Sequence, residues 1–284
     1  MPSTPAIELV EIPVGEDTFT VRACGPASGE VVLLLHGFPQ SSWSWRHQLL
    51  ALGAAGYRAI APDQRGYSPG ARPPEVSRYA SSALVADVLA IADEVGAFTF
   101  HLVGHDWGAA VAWQLAGRHP HRLRTLTILS VPHPRAFTEA LADPGGDQAA
   151  RSAYFELFRS DEAADAFLAD RAALLRAVYA PLDPADVEPY VELLSEPGAM
   201  QAALNWYRAA DVGLIEGLGP ITTPTLFIWS TQDTALGRVG AEATGGHVEG
   251  PYRFEVLEGV SHWIAEEVPA RTNDLLLEHL ASSR

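Results

Sequence analysis

The sequence predicts an α/β fold: a mostly parallel central sheet with helices on both faces and an inserted helical segment late in the chain. Three observations carry that expectation. Val31–Leu35 is an unbroken aliphatic run, as a strand buried on both faces requires. Around it, strand-like and helix-like segments alternate, the order that builds crossover connections and a parallel sheet. From about residue 134 to 217 the strand signal disappears, and Phe167, Leu168, Leu174, Leu175 and Val178 recur at helical spacing among Ala and charged residues.

Taken in order, residues 7–14 and 18–24 read as strands ahead of Val31–Leu35. Residues 45–55 read as helix, 57–61 as a short strand and 83–95 as helix, followed by strand 98–103, helix 109–117 and strand 123–131. Inside the insertion, Asp183-Pro184 supplies an N-cap with proline at the first helical position, and Pro197 opens a helix running through Tyr207. Strand signals return at 224–229 and Tyr252–Leu257, and 270–280 closes the series as helix. No internal repeat, low-complexity tract or flexible linker interrupts it.

A chain of 284 residues that is 48% hydrophobic fits one large domain, or one domain with an insertion, around a substantial core. Its 19 basic side chains are all arginine and face 35 acidic ones, for a formal charge of −16. The absence of lysine excludes Schiff-base and pyridoxal-lysine chemistry and the lysine-dependent phosphate loop. A GC-rich coding bias is the simplest cause, and the arginines are expected at the surface. With bases scattered among nearly twice as many carboxylates, no nucleic-acid partner is expected. The single cysteine, Cys24, sits in a strand-like run as a small buried residue and is compatible with a reducing compartment. Residues 1–5 carry neither basic leader nor apolar stretch, and Val31–Leu35 is far too short to cross a bilayer. A soluble cytoplasmic protein without a membrane partner is expected.

The chemistry concentrates where strand 98–103 runs into Gly104-His105-Asp106-Trp107-Gly108 and then a helix rich in small residues. A tight strand-to-helix turn holds its central residue in a strained conformation, and glycines two positions to either side let strand and helix approach. The following helix N-terminus favours the ionised carboxylate, the form that attacks. Asp106 is therefore a candidate nucleophile, although a glycine-flanked Asp in isolation reads equally well as a helix cap. Partners follow in the order nucleophile, acid, histidine: Asp233 just past the strand ending at Trp229, and His262 within Gly259-Val260-Ser261-His262-Trp263 after the last strand. All three fall at carboxyl ends of strands, where open α/β sheets bind ligands. His36-Gly37-Phe38-Pro39 follows the aliphatic strand, so the backbone amides of Phe38 and Trp107 form the natural oxyanion-hole pair. His36 and His105 read as scaffolding and Pro39 as a candidate for a cis peptide. His119, His121 and His133 lack metal-ligand spacing. Trp43, Trp45, Trp206 and Trp263 are either pocket wall or core.

Together, His-Gly-Phe-Pro, Gly-His-Asp-Trp-Gly, a late Asp and a late His resemble the epoxide hydrolases of the α/β-hydrolase fold, and the turn Asp63-Gln64-Arg65-Gly66-Tyr67 extends the resemblance over nearly the whole chain. The resemblance implies a core made of residues 1–133 and 219–284, with a helical cap at 134–218. It further implies two cap tyrosines that hydrogen-bond the epoxide oxygen. Ala153-Tyr154-Phe155 and Leu204-Asn205-Trp206-Tyr207-Arg208 are similar to the segments carrying them, the second more closely. Phe38, Trp107, Phe155 and Trp206 would then line an apolar, aromatic-walled substrate pocket. The implied substrates are an apolar epoxide and water, with no cofactor and no metal. Oligomeric state stays open.

Dehalogenases use the same Asp and His. Haloalkane dehalogenases generally carry Asn at the position of Phe38, and haloacetate dehalogenases usually place Arg at that of Trp107. A non-catalytic receptor on the same fold is opposed by the intact triad. An ester hydrolase is opposed by the mixed anhydride that an Asp nucleophile would form.

Overall fold

The computed structural model describes residues 6–210 and 217–282. Strands β1 (Glu8–Val14), β2 (Asp17–Cys24), β3 (Val31–Leu35), β4 (Arg58–Pro62), β5 (Phe100–His105), β6 (Leu123–Leu129), β7 (Thr225–Ser230) and β8 (Tyr252–Leu257) form one sheet in the order β1-β2-β4-β3-β5-β6-β7-β8. The β1–β2 hairpin and the β2–β4 pair are antiparallel, and every later pairing is parallel.

The aliphatic run of β3 shows why both faces must be covered. Leu33 and Leu35 point into one apolar layer with α2 (Ser81–Glu94) and α3 (Trp107–Arg118). Val32 and Leu34 point into the opposite layer, with α1 (Arg46–Ala54) and the last helix, Pro269–Ala281. The strand period of two thus divides one run between two cores. Cys24 is buried in the second layer.

Between β6 and β7 the described residues hold no strand and six helices: α4 (Pro134–Ala142), α5 (Gln148–Arg151), α6 (Tyr154–Arg159), α7 (Ala163–Val178), α8 (Pro184–Leu194) and α9 (Ala199–Ala209). Residues 211–216 of the expected insertion lie outside the described residues. The backbone of α7 breaks at residues 169–172, where Asp170, Arg171 and Ala172 are left-handed. Asp183 caps α8 by accepting from the Ala185 amide at 2.9 Å, as its sequence suggests. The helix expected from Pro197 begins at Ala199, because Gly198 at φ +77° turns the chain first. After β7 come α10 (Arg238–Ala243), for which the sequence shows no clear signal, α11 (Ile264–Glu267) and α12 (Pro269–Ala281). Among the described residues no helix is long and apolar enough to cross a membrane.

Two expectations need correction. The strand placed at 98–103 begins at Phe100 and runs to His105, while Phe98 is 69% exposed beneath the Arg122 guanidinium. Gly96 ends α2 at φ +75°, and the residues after it form the turn rather than the strand. Nor are the arginines all at the surface. Arg65 is buried and grips Asp87 through two bonds, Nε to Oδ2 at 2.7 Å and Nη2 to Oδ1 at 2.6 Å. Arg46 is buried on Glu266. Such sites use the planar guanidinium fork, which an ammonium group does not possess.

We predict that Leu34→Ala, in the central sheet, costs about 2–5 kcal/mol in urea unfolding. Phe98→Ala should cost under about 1 kcal/mol, the scale of an exposed cation–π contact. Equal losses would return Phe98 to the core.

Candidate active site

Asp106 sits at the end of β5 with φ 51° and ψ −122°, a conformation that β-carbon-bearing residues rarely adopt. Three glycines make this turn possible by close approach. A Cβ on Gly104 would meet the Gly108 carbonyl oxygen at 2.5 Å, and one on Gly108 would meet that of Leu35 at 2.2 Å. A Cβ on Gly37 would strike the Asp106 Cβ at 2.2 Å. The elbow and the loop after β3 therefore touch with no room for a methyl group.

That contact holds the carboxylate. The Phe38 amide donates to Asp106 Oδ1 at 2.8 Å, and the Trp107 amide opening α3 is a second backbone partner. His262 Nε2 lies 3.6 Å from the other oxygen, Oδ2, an ion-pair distance. Burial alone would raise the Asp106 pKa. His262, His105 and the Trp107 amide outweigh it and keep the group below its ordinary value, so it is ionised.

Asp233 and His262 join it from the loops after β7 and β8. Asp233 Oδ2 accepts from His262 Nδ1 at 2.8 Å, while its Oδ1 accepts the Ala235 and Leu236 amides at 2.8 and 2.9 Å. Burial opposes a charge on His262, but Asp233 and Asp106 prevail and raise its pKa to about 10. His105 lies behind, its ring bridging the Gln40 side chain and the His262 carbonyl. Burial and the neighbouring His262 depress His105 to about 4. His36 pairs with the Gln64 amide and the Gly37 carbonyl, and burial lowers its pKa, consistent with a scaffold. His133 caps α4 by accepting the Arg135 amide and stacks on His247.

Both candidate tyrosines face this carboxylate from the insertion. Tyr154 opens α6 and Tyr207 lies in α9, with ring centroids 6.2 Å apart. Burial raises both pKa values well beyond the ordinary tyrosine range, and the Asp106 charge adds to the rise. Both phenols keep their protons and are available as donors. Asp233 also acts on Tyr154, whereas the Trp107 side chain is a hydrogen-bond partner of Tyr207.

The expected wall residues converge as well. Tyr207 meets Phe38, Trp107 and Phe155 edge-on at 5.2, 5.1 and 5.0 Å. Trp206 stands behind Trp107 at 6.1 Å and donates its indole N–H to the Arg65 carbonyl, so it also fastens the insertion to the core. The open alternatives resolve differently for the other tryptophans. Trp45 is core, Trp43 lies beneath Arg22 and Arg46, and Trp263 packs 5.0 Å from His262. Sequence reasoning missed Phe158 and Phe167. Phe158 packs on Phe38, Tyr154 and Tyr207 at 5.3, 4.9 and 5.0 Å, and Phe167 lies behind it. Phe158 follows Tyr154 by four residues on one helix, and that spacing was the available signal.

A strained ionised carboxylate, two backbone donors, a His–Asp pair and two buried phenols define a hydrolase site built on an α/β sheet. The alpha/beta hydrolase fold family model matches residues 30–269. The chain is 37% identical over 270 residues to the AB hydrolase superfamily protein YfhM of Bacillus subtilis, covering 93% of this chain and 94% of that one. It is 33% identical to Epoxide hydrolase A of Mycobacterium tuberculosis, covering 92% and 93%. The structure superposes on the Bacillus megaterium epoxide hydrolase in complex with an inhibitor with a TM-score of 0.87 at 27% identity, covering 96% and 100%. The chain belongs to the α/β-hydrolase family. Within that family it belongs with the epoxide hydrolases.

Because the Gly108 position touches a backbone carbonyl, Gly108→Ala must push strand and helix apart. We predict a loss of about 1–3 kcal/mol in urea unfolding, the scale of overpacking. Unchanged stability would show that the elbow has slack.

Proposed function

We propose that this chain hydrolyses an apolar epoxide to a vicinal diol through an ester on Asp106. The observation that carries the reading is one ionised carboxylate faced by two buried, protonated tyrosines. Attack on a saturated carbon needs an anionic nucleophile, and the departing alkoxide needs a donor that is still protonated when the ring opens.

In the first step Asp106 Oδ2 attacks an epoxide carbon, forming the C–O ester bond while the ring C–O bond breaks. The electron pair passes to the ring oxygen, which Tyr154 and Tyr207 both hydrogen-bond and to which one of them gives its proton. Oδ1, bonded to the Phe38 amide, becomes the ester carbonyl oxygen. In the second step His262, oriented by Asp233, removes a proton from water. The hydroxide attacks the Asp106 carbonyl carbon, and the oxyanion forms on Oδ1, already bonded to the Phe38 amide, with the Trp107 amide as the second donor. Collapse breaks the bond between the acyl carbon and Oδ2, the departing alkoxide takes the proton from His262, and the acid proton left on Asp106 returns to the tyrosinate, which restores the carboxylate and releases the diol. Losing one oxyanion donor typically costs about 3–4 kcal/mol.

Esterification also changes the base. In the free enzyme the Asp106 charge helps to hold His262 protonated. The ester removes that charge, so the His262 pKa falls and the neutral base becomes available when hydrolysis needs it. Phe38, Trp107, Phe155 and Trp206 contribute the apolar wall, and residues 134–218 act as the cap over a core of 1–133 and 219–284. The dehalogenase alternative is disfavoured, since the Trp107 side chain is engaged by the Tyr207 phenol rather than free for a halide.

With His262→Gln, we predict that a covalent adduct accumulates on Asp106 with the mass of the whole epoxide, read by peptide mass spectrometry. An adduct lacking the elements of a halogen acid would point to a dehalogenase, and no adduct to a receptor. Tyr207→Phe should slow ring opening by roughly 10²-fold or more, the usual share of a general acid, while sparing hydrolysis of preformed ester. Slowing of the second step alone would remove Tyr207 from ring opening. In single-turnover experiments, ester hydrolysis should rise with pH through the His262 pKa, at a midpoint below the value of about 10 in the free enzyme. A midpoint at or above that value would contradict the proposed role of the lost charge.

A further inference from the structure

The short helix α5 bears on the active site without touching it. Gln148 is 2% exposed, and its amide is fully engaged. Its Nε2 donates to the Ala235 carbonyl at 2.8 Å and to Ser152 Oγ at 2.9 Å, and its Oε1 accepts the Gly237 amide at 2.8 Å. One turn later, Arg151 Nη1 donates to the Asp233 carbonyl at 2.6 Å, while Nε is held by Asp147 at 2.6 Å. The loop of residues 233–237 carries the triad acid. Its own turn satisfies the Ala235 and Leu236 amides through Asp233 Oδ1, and Trp229 donates to the Leu236 carbonyl. The Asp233 carbonyl, the Ala235 carbonyl and the Gly237 amide are satisfied from α5. Tyr154 stands three residues beyond Arg151, and the Ser152, Ala153 and Phe155 amides bond back to Gln148, Ala150 and Ser152, linking α5 to α6.

We propose that Gln148 and Arg151 are positioning residues that clip the acid-bearing loop to the insertion, holding Asp233, His262 and Tyr154 in one frame through both half-reactions. The inference rests on the ester route proposed above. Ring opening uses Tyr154, and hydrolysis uses Asp233 through His262, so one linkage sets the geometry of both. Packing alone does not explain it, since an apolar residue of similar length would fill the Gln148 position without leaving an amide to satisfy. A misplacement of about 1 Å at reacting groups can cost roughly 10²-fold in rate, so loosening this linkage reaches the chemistry.

The test uses the full-length enzyme, its Gln148→Met, Arg151→Met and Arg151→Lys variants, and styrene oxide as the probe. Ester formation and ester hydrolysis are followed separately by rapid quench and mass spectrometry. Both rates should fall about tenfold or more in the Met variants, with KM changing less than kcat, and Arg151→Lys should recover most of the loss. The titratable groups facing His262 are Asp233, Asp106 and His105. In the ester Asp106 is uncharged, so a less firmly held Asp233 should move the hydrolysis midpoint to lower pH. Variants that melt at lower temperature yet carry out both steps at wild-type rates, with an unmoved midpoint, would overturn the clip and leave a stability role. If Gln148→Met fails to fold, the two Arg151 variants decide the matter. A wild-type enzyme that forms no ester with styrene oxide would overturn the ester route and the clip together.

Discussion

A carboxylate taken out of water and kept ionised is the constraint on which this structure turns. An isolated ionised carboxylate in an apolar interior is so unfavourable that it ordinarily takes up a proton. Asp106 keeps its charge because a backbone amide, a helix N-terminus and an imidazole are brought to it at once. Bringing them requires the strained φ at Asp106, and that strain requires the glycines at 37, 104 and 108, which let two loops and a helix meet.

The aromatic surround follows from the same constraint. A dry surround strengthens every interaction with the charge. Phe38, Phe155, Phe158, Trp107, Tyr154 and Tyr207 form that surround, Tyr207 meeting Trp107 and Phe155 edge-to-face, a geometry that suits ring quadrupoles, and Phe158 meeting Phe38 and Tyr154, and Trp107 meeting Phe155, at a tilt. Polar bonds tie the insertion down at several edges of the site. Tyr179 donates to the Pro39 carbonyl in the loop after β3, and Tyr190 donates to Glu266, which also receives Arg46 and Gln40. Burial pushes the Glu266 carboxyl up, and these three donors oppose it. Groups that would be costly to bury unpaired thus become the fasteners between insertion and core.

Legibility tracked the distance in sequence over which each feature is built. The Asp106 turn occupies five consecutive residues, so its glycine spacing and its place after a buried strand were readable. The same holds for the Asp183 cap, for the split of β3 between two layers and for the chain order of Asp233 and His262. Features closed by remote partners left no such trace. Gln148 meets the acid loop 87 and 89 positions away, and Gln40 meets Glu266 across 226. Phe98 looked like a strand residue because an aromatic before an aliphatic run usually is one. Its ring is instead satisfied from above by Arg122, a contact that depends on where residue 122 folds back.

Local covalent geometry and hydrophobic period therefore determined the class of fold and marked Asp106, Asp233 and His262 as candidates, because each is written in a short window of chain. Tertiary structure decided which oxygen of Asp106 faces the Phe38 amide and which faces His262, that Phe158 and Phe167 pack behind the expected wall, and that buried arginines brace the core. Those outcomes depend on groups brought together from distant segments, where hydrogen-bond geometry and burial select the partners and no spacing in the sequence records the choice.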